Sequence, residues 1–196
     1  HVGYANARHA NEGRIAVTNG ATLDTTGGVT IGRANGGSQS NPAHLNRVDV
    51  DGGALGVSTW DLHGANLVIG NASAGTAASC AATGNVVRAG RGGVITNIGA
   101  LTVGSGVNGQ ANRLVPAGGS VRAASLTLSA GNILAPVIDA DGIAPMTVSG
   151  TATFAAGSLL APDALPGAGP GTCTVLVAGT LVDNGLALDP ATDASR

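Results

Sequence analysis

Asn46-Arg47-Val48-Asp49-Val50-Asp51-Gly52-Gly53-Ala54-Leu55 returns, position for position, as Asn112-Arg113-Leu114-Val115-Pro116-Ala117-Gly118-Gly119-Ser120-Val121. In both stretches an Asn-Arg pair opens a short apolar alternation and a glycine pair closes it. The first copy continues through Trp60-Asp61-Leu62 to Asn66-Leu67-Val68-Ile69-Gly70-Asn71, the second through Ser125-Leu126-Thr127-Leu128 to Gly131-Asn132. An earlier copy runs from Arg14-Ile15-Ala16-Val17 to Val29-Thr30-Ile31-Gly32. A looser one runs from Asn85 through Gly92-Gly93 to Leu101-Thr102-Val103-Gly104. Two degenerate units follow, one around Met146-Thr147-Val148-Ser149-Gly150 and one from Thr172 to Leu188.

Recurrence at this period is the signature of a stacked-repeat architecture. Each unit carries three apolar alternations, exemplified by Val48/Val50, Leu55/Val57 and Leu67/Ile69, separated by Gly or Asn turns that accept positive φ. Three strands and three corners make one coil, and a coil buries its inner face only by stacking on the next. The spacing therefore predicts an all-β fold, a parallel β-helix or solenoid of about six coils with three short strands per coil. At a strand separation of about 4.8 Å the stack is about 25–30 Å long. Residues 1–196 read as one such domain, with variable corner insertions near 33–45 and 72–84 and degenerate terminal coils over 133–196. The chain opens at Val2-Gly3 in mid-repeat, which leads to the expectation of a segment of a longer protein whose unpaired solenoid ends self-associate by strand addition.

Composition agrees with strands and excludes several function classes. Of 196 residues, 33 are glycine and only 10% are charged, and the aromatics are reduced to Tyr4, Trp60 and Phe154, so the core must be built from Val, Leu, Ile and Ala. The basic residues are all arginine and Glu12 is the only glutamate; with the long helix formers missing, helices are disfavoured. A net charge of −2 offers no basic stripe, so no nucleic acid partner is expected. No apolar run approaches the about 18 residues needed to cross a bilayer, so no membrane insertion is expected in this segment.

Several residue groups resemble chemical motifs and are weighed on context. Gly104-Ser105-Gly106-Val107-Asn108-Gly109 matches G-x-G-x-x-G, but the sequence beyond it is another strand rather than the helix a dinucleotide site needs, and it reads as a corner loop. Asp139-Ala140-Asp141-Gly142 begins like a calcium loop, yet Gly150 stands where the twelfth-position carboxylate belongs, so Asp139 and Asp141 read as a turn. Arg47, Asp49 and Asp51 alternate with Val48 and Val50 and are expected to point outward together. As a carboxylate pair Asp49 and Asp51 form the best enzyme-like cluster; the plainer reading is a solvated face neutralised by its own arginines and by Arg91 on the next coil. Asp61 and His63 fall on one side of a strand beside Trp60, but no second histidine stands at zinc spacing. The four histidines, His1, His9, His44 and His63, assemble no nucleophilic triad, and no cofactor is expected. Cys80 and Cys173 are too far apart in the stack for a disulfide.

Two repeat positions bear on stability. Arg14, Arg47 and Arg113 should form a column along the stack, and Asn46 and Asn112 an internal amide ladder between adjacent strands. Gly52, Gly53, Gly118 and Gly119 mark the corner after them.

The repeat N-R-V-x-V-x-G-G-x-L with its closing L-x-V-G resembles the tandem β-strand repeats of large bacterial surface proteins. These include autotransporter passenger domains and the repeat-rich exoproteins of environmental bacteria such as planctomycetes. Gly171-Thr172-Cys173-Thr174-Val175-Leu176-Val177-Ala178-Gly179-Thr180 is similar to the G-T-Y-T-V-L-x-A-G-T stretch that ends such solenoids, with Cys173 in place of Tyr. The resemblance implies a right-handed β-helix, secretion and an extracellular or cell-surface location, and it carries over no catalytic residue. The expected function is structural: a segment of a surface fibre, filament or adhesin stalk. The alternative is a carbohydrate-active β-helix enzyme or polysaccharide-binding module using an exterior strand face, with extracellular polysaccharide as partner. A third class, an ice- or sugar-binding face, would need a regular array of threonine or aromatic side chains along one face, and the scattered threonines argue against it.

Overall fold

A computed structural model describes residues 2–5, 11–34, 42–72 and 80–193. The chain returns again and again to the same places. It runs through β1 (Val2–Ala5), β2 (Arg14–Thr18), β3 (Thr22–Asp24), β4 (Val29–Ala34) and β5 (Ala43–His44), then β6 (Arg47–Asp51), β7 (Ser58–Asp61), β8 (Leu67–Ala72) and β9 (Ala82–Thr83). The next passes comprise β10 (Val86–Ala89), β11 (Gly93–Ser105) and β12 (Gly109–Gln110), then β13 (Arg113–Pro116) and β14 (Ser120–Leu128), then β15 (Ile133–Leu134), β16 (Val137–Ile138) and β17 (Met146–Phe154). The last are β18 (Leu159–Leu160), β19 (Asp163–Ala164), β20 (Leu176–Asp183) and β21 (Ala187–Leu188), with one helical turn, α1 (Pro190–Asp193).

The fold is all-β, and its named strands pair in parallel. One sheet has the order β1-β4-β8-β11-β14-β17-β20, with β3 and β7 alongside; a second has the order β2-β6-β10-β13-β15-β18-β21. Both orders rise monotonically with sequence, so strands neighbouring in space are one pass apart in the chain. A third, short sheet, β12-β9-β5, sits at the corner before the second sheet, and β16 pairs with β19. From β11 onward the separate segments represented by β3/β4 and β7/β8 merge into one long, bent strand.

Register turns the repeat into columns of like residues. In the second sheet Ile15, Val48, Val87, Leu114, Leu134, Leu160 and Leu188 succeed one another from strand to strand. In the first sheet one column is Val29, Leu67, Leu101, Leu126, Ala152 and Leu181. The middle members of both columns are buried and form one continuous core. Burying such side chains is worth about 1.5–3 kcal/mol each, which is the force that draws each pass onto the last.

One expectation changes. The middle alternation is not Leu55/Val57: Gly53–Leu55 forms a single 3-10 turn and Val57 is 61% exposed, while Trp60 and Leu62 point inward instead. The glycine pair after β6 is followed by a turn, so the strand begins only at Ser58 and the alternation starts one step later. Ile133–Leu134, at the start of the degenerate terminal stretch, is a further strand of the second sheet and pairs with Arg113–Leu114. Of the two corner insertions, residues 35–41 and 73–79 lie outside the described residues.

Candidate functional site

The exterior of the second sheet carries the Arg47/Asp49/Asp51 cluster. Arg14, Arg47, Val86 and Arg113 occupy one register position, so the arginine column forms with Val86 interposed. Asp49 lies two residues along from Arg47. Its carboxylate accepts from Arg47 Nε at 2.7 and 2.8 Å and from Arg14 Nη2 at 3.0 Å. Two guanidinium groups thus fold over it and leave its side chain 7% exposed. This corrects the expectation that Arg47, Asp49 and Asp51 all stand in solvent. Burial pushes the Asp49 carboxyl up, but the hydrogen bond and charge of Arg47, joined by Arg14, outweigh it, and the group is held below its ordinary value. Asp51 pairs across the next level with Arg88 at 3.1 Å, not with Arg91. Arg88 stands in β10 directly beside Asp49 in the register, whereas Arg91 has passed the end of that strand.

Arg91 reaches two passes along instead. It donates to Asp139 at 3.1 Å and to Asp141. Asp139 Oδ1 also accepts from the Asp141 amide at 2.9 Å, and Asp139 and Gly142 exchange backbone hydrogen bonds. The segment is a tight turn, and a guanidinium occupies the place a cation would take.

Inside the corner that precedes the second sheet, the amide ladder is longer than the Asn46–Asn112 pair. Asn46, Asn85, Asn112 and Asn132 are all fully buried, one per level. Asn46 N and Nδ2 donate to Asn85 Oδ1, Asn85 N and Nδ2 to Asn112 Oδ1, and Asn112 N and Nδ2 to Asn132 Oδ1, at 2.8–3.1 Å. Gly13 N donates to Asn46 Oδ1 at the near end. At the far end Ser158 takes the equivalent place, and its buried hydroxyl has no partner. The ladder explains the closing glycine of the repeat. Gly70 has φ +75° and Gly104 φ +77°, and a Cβ at either would overlap the side chain of Asn112 or Asn132 respectively. Where Ser158 replaces asparagine, Ser129 replaces that glycine, following Leu128 as Gly104 follows Val103.

The first sheet carries a second polar cluster around its bend. Asp24 and Asp61 are register partners on β3 and β7. Asp61 accepts from the His63 amide at 2.8 Å and from Asn97 Nδ2 at 2.9 Å, which together hold its carboxyl below the ordinary value. His63 Nε2 is 3.0 Å from Asp24 Oδ1; a carboxylate only accepts, so the proton of that contact is on Nε2. One ligand atom from each of Asp24, Asp61 and His63 lies within 4.8 Å of the others, the set best placed among the described residues to hold a metal. One imidazole and two carboxylates form an oxygen-rich set rather than a typical zinc site. Trp60, beside them in sequence, is 2% exposed, and its Nε1 donates to Thr25 Oγ1 at 3.1 Å; it is a core residue.

Next to His63 the first sheet is concave. A groove of about 690 Å³ crosses four successive levels, from His63 and Gly64 through Asn97 and Arg122 to Thr147 and Ser149. Its origin is irregular register. Between Ile95 and Ile98, β11 carries one residue more than β14 does between Val121 and Ala123. Likewise β17 carries one more between Val148 and Thr151 than β20 does between Ala178 and Thr180. An extra residue bends a strand and re-aims its side chains, and Asn97, in the β11 bulge, has φ 53°.

Gly104 and Gly106 have positive φ at a strand-to-corner turn, with β12 following rather than a helix. Cys80 is buried, Cys173 is exposed, and no disulfide joins them. His44 Nδ1 is 2.6 Å from Thr83 Oγ1 in the short corner sheet, while His1 and His9 lie outside the described residues. The repeat pattern marks Asn85 as the start of a copy and Asn132 as the close of one, but it gives no functional signal at Arg88, Asp24, Asn97 or Arg122.

Comparison with family models, with curated proteins and with solved structures finds no match for this chain.

Proposed function

We propose that the chain is a structural segment of an extracellular protein, a stretch of surface fibre, filament or adhesin stalk, wound as a right-handed parallel β-helix of about six coils with three short strands per coil. The observation that carries this reading is the buried asparagine ladder: four identical amides, one per level, each bonded to the next. Such a ladder couples the four successive levels it spans and offers nothing to a substrate. The two monotonic strand orders support the winding. Pairing of Asp49 with two arginines and of Asp51 with Arg88 fits a static, charge-neutral surface.

A strut keeps its ends at a fixed separation, and that is measurable. Arg14 and Ala187 share one register position six strand steps apart, so spin labels on Arg14→Cys and Ala187→Cys, with Cys80→Ala and Cys173→Ser, should lie about 29 Å apart. A narrow distance distribution near that value, unchanged in mild urea, is expected. A broad distribution, or one centred far from it, would sink both the winding and the strut.

A further inference from the structure

The bent first sheet offers a feature that a passive strut does not need. We propose that the groove over Arg122 binds a linear acidic glycan, one whose uronate residues are separated by neutral sugars.

Four properties of the groove lead there. It runs across the strands, along the stack, and three strand steps of about 4.8 Å make it about 14 Å long, the length of a short oligosaccharide lying extended. Its lining includes small residues, Gly64, Gly99 and Ala124, and the space where a Gly64 side chain would stand is open, so a flat ring can approach the backbone there. Hydroxyls of Thr147 and Ser149 stand at its far end, suited to exchange hydrogen bonds with sugar hydroxyls. At its centre is Arg122, exposed on β14. Arg14, Arg47, Arg88 and Arg91 each face an aspartate, whereas Arg122 faces none among the described residues. A guanidinium matches a carboxylate in two-point geometry and selects an anionic ligand.

The same electrostatics limit charge density. Asp61 and Asp24 stand beside the His63 end, and their carboxylates repel a second acidic group placed there. A polyanion with a charge on every unit, such as a nucleic acid or a polygalacturonate, meets that repulsion. A glycan with one uronate per disaccharide sets its acid on Arg122 and neutral sugars on either side.

The test is calorimetric titration of the whole chain with a hyaluronan tetrasaccharide, a neutral chitin trisaccharide, a polygalacturonate trimer and free glucuronate. The hyaluronan fragment should bind most tightly, and binding should weaken as salt is raised. Arg122→Gln should weaken it about tenfold, the loss expected for one charge-assisted hydrogen bond near a surface. Arg113→Gln, an exposed arginine on the other sheet, should change it less than twofold. Both positions are exposed, so the variants should keep the parent's circular dichroism and Tm. No binding of the tetrasaccharide at millimolar concentration, equal binding by the Arg122→Gln variant, or equal binding of the chitin fragment overturns the proposal. Free glucuronate or the polygalacturonate trimer binding as well as the tetrasaccharide does so too. None of these outcomes touches the spin-label distance on which the strut reading stands.

Discussion

Replacing Asn112 by alanine removes one rung of the buried ladder, and the structure sets the cost. Four hydrogen bonds go: those from Asn85 N and Asn85 Nδ2 to Asn112 Oδ1, and those from Asn112 Nδ2 to Asn132 Oδ1 and to the Ala82 carbonyl. Asn132 Oδ1 keeps the bond from the Asn112 backbone amide and Asn85 Nδ2 keeps its bond to the Ala43 carbonyl, but the Asn85 backbone amide and the second Nδ2 hydrogen are stranded in a fully buried place. A buried donor without a partner costs about 1–3 kcal/mol, so the variant should lose about 2–6 kcal/mol. That is a large part of the 5–15 kcal/mol typical of a whole domain, and a loss near 4 kcal/mol lowers Tm by about 8–16 °C for a chain of this length. Urea unfolding followed by circular dichroism measures it. Asn66→Ala is the control: Asn66 is exposed and, among the described residues, its side chain accepts only from the Ala100 amide, so its loss should stay under about 1 kcal/mol. The geometry is tested further by Gly70→Ala. In the parent the new Cβ overlaps Asn112; in the Asn112→Ala background only the left-handed backbone of Gly70 is strained, about 1–2 kcal/mol. The double variant should therefore be more stable than the sum of the two losses by well over 0.5 kcal/mol, the limit within which independent sites add. Additivity within that limit, or an Asn112→Ala loss no larger than that of Asn66→Ala, would refute the ladder as the element that joins the levels.

Three other outcomes follow from the same geometry. Ser158→Ala should be neutral or stabilising by up to about 1 kcal/mol in the same urea assay, because it removes a buried hydroxyl that has no partner. Leu114→Ala, in the middle of an all-aliphatic column and fully buried, should cost about 2–5 kcal/mol by loss of burial and the cavity left behind. Asp49 makes stability depend on acid: its folded-state carboxyl titrates below its unfolded value, so its contribution is present above about pH 4 and is lost as pH falls through the lower, folded value. Unfolding free energies measured from pH 7 to pH 2 should fall more steeply for the parent than for Asp49→Asn, and parallel curves would show that the Arg14 and Arg47 pairing carries no energy.

Much of this was legible in the chain before any coordinates. Alternating Val48/Val50 and Leu67/Ile69 both fall inward as their period requires, and the Asn-Arg start of the two clearest copies, at Asn46 and Asn112, marks the ladder and the arginine column. The Leu55/Val57 alternation failed because a glycine pair introduces a turn whose length the pattern does not encode. Trp60 is decided by the direction of its strand: beside Asp61 and His63 in sequence, its indole nonetheless faces the core.

What the sequence alone determined is the kind of residue in each column: aliphatic inside, asparagine at one corner, glycine opposite the asparagine, charge outside. Those choices are local, set by the two-residue period of a strand and by the conformations glycine and asparagine accept. What the tertiary structure decided is which residues of different passes meet. The ladder asparagines are 33, 39, 27 and 20 residues from their neighbours in the contact chain that starts at Gly13. Spacing so uneven hides Asn132 from any fixed period and sends Asp51 to Arg88 and Arg91 to Asp139 and Asp141. The groove over Arg122 is likewise invisible along the chain, since it arises from single extra residues in β11 and β17, and a bulge exists only relative to the strand beside it.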